Sequence, residues 1–314
     1  MNHRHINFSL SFALFIAIIA VSTASILIRF AQRDAPSLTI AALRLTFASL
    51  VLAPIAWKRH RGEILNLTRR ELLLSVCSGL FLAVHFAAWI TSLAFTSVAS
   101  SVVLVSTGPL WVALLSPMIL NERLAHTAIF GLGLALIGGV LIGLSSGCTW
   151  MNGLYCSSMG SILQGRVLWG NFLALAGAWA VTGYLIIGRR LRGTMSLIPY
   201  ISITYSAGAV ASLGIMFAAG QSPFGYPAIT YLWLLLLALV PQLIGHSTYN
   251  WALRFAPATS VAITTLGEPI GSAILAYLIL QEEPTFPVLF GGVLILAGIY
   301  FASAFGGKNR SSPS

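Results

Sequence analysis

Charge is scarce in this chain. Of its 314 residues only 8% are Asp, Glu, Lys or Arg, and just 7 are acidic. A water-soluble domain carries about 25% charged residues, so a soluble protein of this length could not cover its own surface with so few. Cysteine is scarce too, with only Cys77, Cys148 and Cys156, which excludes a disulfide-built secreted scaffold. Cys77 lies in an apolar run and reads as a small packing residue. Cys148 and Cys156 flank a short polar loop without zinc-site spacing or His partners. They are either free thiols or, if the loop is external, a disulfide. A P-loop, a nucleophile motif and a metal-ligand cluster are also missing. ATP-driven work by this chain alone, enzymatic chemistry and a cofactor are therefore not expected.

Apolar residues are abundant, at 57%. They fall in runs that match the ~20 residues a helix needs to cross the hydrocarbon layer. Phe8–Ile28 carries no charge and is too long, and without a cleavage site, for a signal peptide. Ser37–Trp57 carries only Arg44. Two spans fit the 50 uncharged positions between Glu71 and Glu122, breaking near Thr96 and Ser97. Ala125–Ser145 and Val167–Gly188 follow. The 61 uncharged positions from Gly193 to Leu253 hold two more, separated by the turn sequence from Gln221 to Pro227. The last two run from about Thr259 to Leu280 and from about Pro287 to Gly306. The expected fold is all-α and integral to the membrane, with ten transmembrane helices.

The formal net charge is +10. Its basic residues sit in short runs between apolar stretches, such as Lys58–Arg59–Arg61 and Arg189–Arg190–Arg192. Nucleic acid would need a clustered basic face or a recognition motif, so no nucleic-acid partner is expected. Such runs mark cytoplasmic loops instead. With the N-terminus inside, 13 Lys and Arg fall on the cytoplasmic side and 3 outside. A multi-pass protein of the cell membrane with both termini cytoplasmic is expected.

The chain also repeats. Shifted by 160 positions, Phe95 falls on Phe255, Pro109 on Pro269, Leu120 on Leu280, Glu122 on Glu282, Gly131 on Gly291 and Gly138 on Gly298. Shared Leu could be composition; shared Pro, Glu and Gly in one register could not. Residues 8–145 and 167–306 are then two five-helix repeats joined by an external loop, 146–166. Five is odd, so the second repeat enters from the opposite side, the inverted plan of many secondary transporters.

Gly108-Pro109-Leu110 followed by Leu120-Asn121-Glu122-Arg123 and a Gly-rich helix resembles the end of an EamA domain. Glu268-Pro269-Ile270 with Leu280-Gln281-Glu282 echoes it, and Arg44 resembles an arginine often seen in that family's second helix. Two such domains resemble the ten-helix drug/metabolite transporter superfamily over about residues 10–306. The resemblance implies transport of small organic solutes such as amino acids, other metabolites, drugs or nucleotide sugars.

Ionisable groups inside spans are costly and need a reason, at ~3 kcal/mol or more each. Arg44 has either a structural role, on a carbonyl or the outer interface, or an anionic substrate partner. Glu268, just before the helix-bending Pro269, is either a proton or cation site or a buried carboxyl holding the bend. Thr264, Glu268 and Ser272, four apart, would share one helical face. In the third span Ser78, His85, Trp89 and Ser92 form a polar, aromatic stripe. In the eighth, Gln242, His246, Tyr249 and Asn250 form another, with Trp89 falling on Tyr249 in the repeat register. Two matching stripes suit a cavity for an amphipathic organic solute. Trp111, Trp179 and Tyr205 are further candidate walls. Gly131, Gly138, Gly139, Gly143, Gly291, Gly292 and Gly298 read as close-packing positions, and Glu122 and Glu282 as helix-end residues.

The expected function is alternating-access transport of a small organic solute, as exporter or exchanger. A channel, a membrane enzyme and a sensor are the competing classes. The enzyme lacks an acid, base or metal cluster, and the sensor lacks room for an output domain. Expected partners are a small-molecule substrate and the lipid bilayer, with a homodimer also open.

Overall fold

The structure, a computed structural model, describes residues 3–96, 98–121, 126–145, 148–150, 154–156, 165–281 and 286–305. Glu122 and Glu282 lie outside them. The chain is helical throughout except for one two-stranded hairpin among the described residues. Helices α1 (His3–Ser22) and α2 (Ala24–Ala31) form the first long apolar stretch. Next come α3 (Ser37–Leu65), α4 (Arg69–Ser92), α5 (Val98–Val105), α6 (Gly108–Ile119) and α7 (His126–Ser145). Strands β1 (Cys148–Trp150) and β2 (Leu154–Cys156) pair antiparallel with Cys148 opposite Cys156 along the backbone. The side chains of those two cysteines are outside the described set; Cys77 is a free thiol.

The second half holds α8 (Gly165–Leu191), α9 (Leu197–Ala218) and α10 (Ala228–Leu237). Helix α10 continues through a π-helical segment, Ala238–His246, into α11 (Ser247–Ala252). After these come α12 (Ala258–Thr264), a 3-10 turn (Thr265–Gly267), α13 (Glu268–Leu280) and α14 (Phe286–Phe305).

Element boundaries repeat with the sequence. Helix α3 starts at 37 and α9 at 197; α5 starts at 98 and α12 at 258; α7 spans 126–145 and α14 spans 286–305. The backbone has a left-handed residue at Asn121 (φ 54°) and another at Gln281 (φ 58°), each just past the helix of its own half. A left-handed residue there ends a helix and satisfies its last carbonyls. Helices α7 and α14 pack reciprocally. A Cβ on Gly138 would collide with the carbonyl oxygen of Gly291, and a Cβ on Gly298 with that of Gly131. Gly292 is different, because its nearest neighbour would be Ile270 at 3.9 Å. It therefore does not need to be glycine, contrary to the expectation for the whole set.

Local signals fix several ends. Thr68 and Glu71 form a reciprocal capping box at the start of α4, with the Glu71 backbone N–H donating to Thr68 Oγ1 at 3.2 Å and the Thr68 N–H to Glu71 Oε2 at 3.0 Å. Pro241 lies inside the π-helical segment; proline lacks the backbone donor of a regular turn, and such wide turns are frequent at functional sites.

The surface differs from that of a soluble protein. Arg44, Arg192, Tyr184, Tyr200 and Tyr205 are among the largest fully buried side chains. Phe12, Leu50, Leu73, Leu114, Val210 and Leu278 lie exposed on the outside. An apolar exterior is what a lipid solvent requires, and the largely apolar interior also holds these buried polar side chains. Seven helical stretches among the described residues are long and apolar enough to cross a membrane. The apolar helices Gly108–Ile119, Ile129–Gly138 and Leu289–Gly298 are shorter.

Candidate functional site

Two breaks in the helices create the site. Helix α5 stops at Val105 and α6 resumes at Gly108; α12 stops at Thr264 and α13 resumes at Glu268 after the 3-10 turn. Pro109 and Pro269 follow immediately. Each lacks an N–H and crowds the preceding turn, so neither stretch continues as one α-helix. The two breaks face one cavity. Val105, Ser106, Gly108 and Pro109 line it from the first break, and Thr265 and Glu268 from the second. Val21, Ala24, Arg44, His85, Trp89, Val181, Tyr184, Leu185, His246 and Tyr249 complete the wall of a cavity of about 50 Å³.

The wall follows the repeat. Val21 corresponds to Val181, Ala24 to Tyr184, Trp89 to Tyr249, Val105 to Thr265 and Gly108 to Glu268, each 160 positions on, and all ten line the cavity. In three of these pairs a small or aliphatic residue in the first half answers a polar one in the second. The cavity is thus built symmetrically and functionalised asymmetrically.

Arg44 is fully buried. Its Nε donates to Gln242 Oε1 at 3.0 Å, and its guanidinium lies 3.9 Å over the Phe86 ring. Its two terminal nitrogens, Nη1 and Nη2, have no hydrogen-bond partner. Glu268 is within electrostatic reach. The two make no direct pair: among the described residues the one ion pair is His60 with Glu63, 3.9 Å apart.

The aromatic wall is continuous. His85 donates from Nδ1 to the Gly177 carbonyl at 2.9 Å, which leaves Nε2 as the acceptor of the neutral ring. It stacks on Trp89 with centroids 5.9 Å apart. His246 meets Phe86 at 5.3 Å, Tyr184 at 6.2 Å and Tyr249 at 6.3 Å. Trp89 Nε1 and the Tyr249 hydroxyl have no partner.

Of the residues singled out from sequence, Arg44, His85, Trp89, His246, Tyr249 and Glu268 converge on this cavity. The others do not line it. Tyr205 is buried behind the wall, its hydroxyl 3.2 Å from Ser247 Oγ. Asn250 donates to the Tyr184 hydroxyl and to the His246 carbonyl and so supports the wall from outside. Trp111 and Trp179 pack edge-to-face, 5.7 Å apart, away from it, and Trp179 is 46% exposed. Thr264 and Glu268 do not share a face either. The 3-10 turn shifts the phase, so Thr265 reaches the cavity while Thr264 donates to the Val261 carbonyl. Tyr184, Ser106 and Thr265 were missed. Extending the repeat register into the first and sixth apolar stretches, where Tyr184 answers Ala24, would have pointed to the first.

A multi-pass helical membrane protein with a cavity walled by residues of both halves and carrying a few buried polar groups is the class these features define. Residues 9–144 and 168–304 each match the EamA-like transporter family, and the chain belongs to that family. It is similar to an uncharacterized transporter of Archaeoglobus fulgidus, 25% identical over 287 residues covering 89% of this chain and 92% of that one. The uncharacterized transporter YdfC of Bacillus subtilis is 24% identical over 198 residues, 63% of this chain and 60% of the relative. A protein of known crystal structure shares the fold with a TM-score of 0.72 at 19% identity, over 96% of this chain and 99% of the other.

Proposed function

We propose that this protein is a secondary transporter that carries small organic solutes, such as amino acids or other metabolites, across the cell membrane as an exporter or exchanger. It works by alternating access. Two five-helix repeats of opposite orientation, ten spans in all with both termini cytoplasmic, rock around the central cavity. The observation that carries this reading is that both halves contribute equivalent broken helices and equivalent wall residues to one cavity. Its test is counterflow in liposomes: preloaded unlabelled solute should drive saturable entry of labelled solute from a metabolite panel. Non-saturable flux would make it a channel, and no flux of any solute would end the reading.

Hydrogen bonds at the two ends of the molecule support it. Thr230 donates to Asp34 Oδ2 at 2.6 Å, joining the turn after α2 to the start of α10. At the opposite end Thr194 donates to Glu71 Oε1 at 3.0 Å, joining the turn after α8 to the start of α4. In the repeat register Asp34 corresponds to Thr194, and Thr230 to Arg70, one position before Glu71, so the two contacts lie at related but not identical places in the halves. The Ser196 N–H adds a bond to Glu63 Oε1 at 2.7 Å. Each latch ties one half to the other, and one must open for each access state. Losing one such hydrogen bond costs about 1 kcal/mol, or roughly fivefold in a population. With Ser106→Cys as reporter in a background free of other cysteines, Asp34→Ala should raise labelling by an impermeant thiol reagent added outside. Glu63→Ala with Glu71→Ala should raise it from the cytoplasmic side. Changes of the same sign from the same side would contradict the latch assignment.

A further inference from the structure

We infer that the cavity recognises its solute by a carboxylate, held by the two terminal nitrogens of Arg44. This rests on the transporter reading above and deepens it. Hydrogen-bond capacity on the cavity wall is left unmet. Arg44 is buried, its Nε is committed to Gln242 and its face to Phe86, so its position and plane are fixed. Nη1 and Nη2 are left without a partner. Buried donors left unmet are expensive and rare, and these belong to a residue on the cavity wall. The Trp89 indole N–H, on the same wall, is also unmet. Arginine and indole nitrogens can only donate. The unmet capacity therefore calls for a ligand rich in acceptors.

Geometry narrows the class further. A guanidinium fixed through Nε presents its two terminal N–H groups as a parallel fork, which matches the two oxygens of a carboxylate. A directly paired Glu268 would have filled the fork, yet the two are not in contact. Trp89 and Tyr249, equivalent in the two halves, line the same cavity and supply aromatic surface for the rest of the solute. The preferred solute is thus a small organic carboxylate with a flat, apolar body.

Equilibrium binding to the purified full chain tests this with phenylacetate, its neutral amide phenylacetamide and the cation phenethylamine as probes. Phenylacetate should bind roughly 10- to 100-fold more tightly than the other two, the range for hydrogen bonds to a charged group. Arg44→Gln should erase the preference, and Arg44→Lys should keep part of it, because a point charge lacks the fork. Should Arg44→Gln fail to fold, the wild-type preference together with Arg44→Lys still decides. Equal binding of acid and amide, tighter binding of the amine, or an undiminished preference in Arg44→Lys overturns the assignment. The two readings fail separately. Arg44-dependent binding of phenylacetate without counterflow would sink the carrier and keep the site. Saturable counterflow of cations or neutral solutes untouched by Arg44→Gln would sink the site and keep the carrier.

Discussion

Glu268→Gln is expected to abolish accumulation of solute driven by a pH gradient while leaving counterflow intact. Glu268 is the first residue of α13, directly after the 3-10 turn, and lines the same cavity as Arg44. It stands on a break, so a change in its charge acts on the hinge of the helix and on the solute site together. Protonated on the acidic side and deprotonated on the alkaline side, it would carry one proton per cycle. Glutamine has nearly the same shape but holds the neutral form at every pH. The variant should therefore still exchange solute for solute and lose only the link to protons.

The effect is large by construction. One proton per solute under a gradient of two pH units supports at most about 100-fold accumulation, since each tenfold is 1.4 kcal/mol. In Glu268→Gln this ratio should collapse to one, measured in liposomes with the gradient imposed in either direction. Accumulation that survives the substitution would move the coupling elsewhere and leave facilitated diffusion or exchange as the mode. His85 and His246 also line the cavity, so His85→Gln and His246→Gln under the same gradient show whether the carboxyl acts alone.

The helical architecture was legible in the sequence because a lipid solvent leaves a plain trace: long uncharged runs with the turns between them marked by charge or by Pro and Gly. The repeat was legible because Pro109 and Pro269 sit in one register, and proline has few permissible places in a helix. What the sequence hid was phase. Spacing arguments assume 3.6 residues per turn. The 3-10 turn before Glu268 and the π-helical segment ending at His246 both depart from that. Thr264 was thus assigned the face that Thr265 occupies. An indole ring in an apolar run carries no sign of whether it faces a cavity or lipid, so the sequence offers Trp111 and Trp179 as walls although neither lines the cavity. Arg44 stood out for its cost, but its clamp by Gln242 and Phe86 joins positions 198 apart in the case of Gln242, which no local pattern encodes.

The largest loss of stability is expected at the contact of α7 with α14. Gly138→Ala and Gly298→Ala each place a methyl group against a backbone carbonyl oxygen, of Gly291 and Gly131 respectively. A backbone oxygen on a packed helix cannot rotate aside as a side chain can, so the two helices must separate along their whole contact. Overpacking of this kind costs about 1–3 kcal/mol per site. Close approach of backbones is also the main attraction between helices in lipid, where burial from water contributes nothing. Each substitution should therefore lower the thermal midpoint of the purified protein, and the double variant should fail to yield monodisperse protein. Gly292→Ala, whose methyl would meet only Ile270 at 3.9 Å, should be silent. A wild-type midpoint for Gly138→Ala would mean that the two helices are further apart than described. Loss in Gly292→Ala equal to that in Gly298→Ala would mean that any side chain on this helix is harmful, rather than one at the crossing.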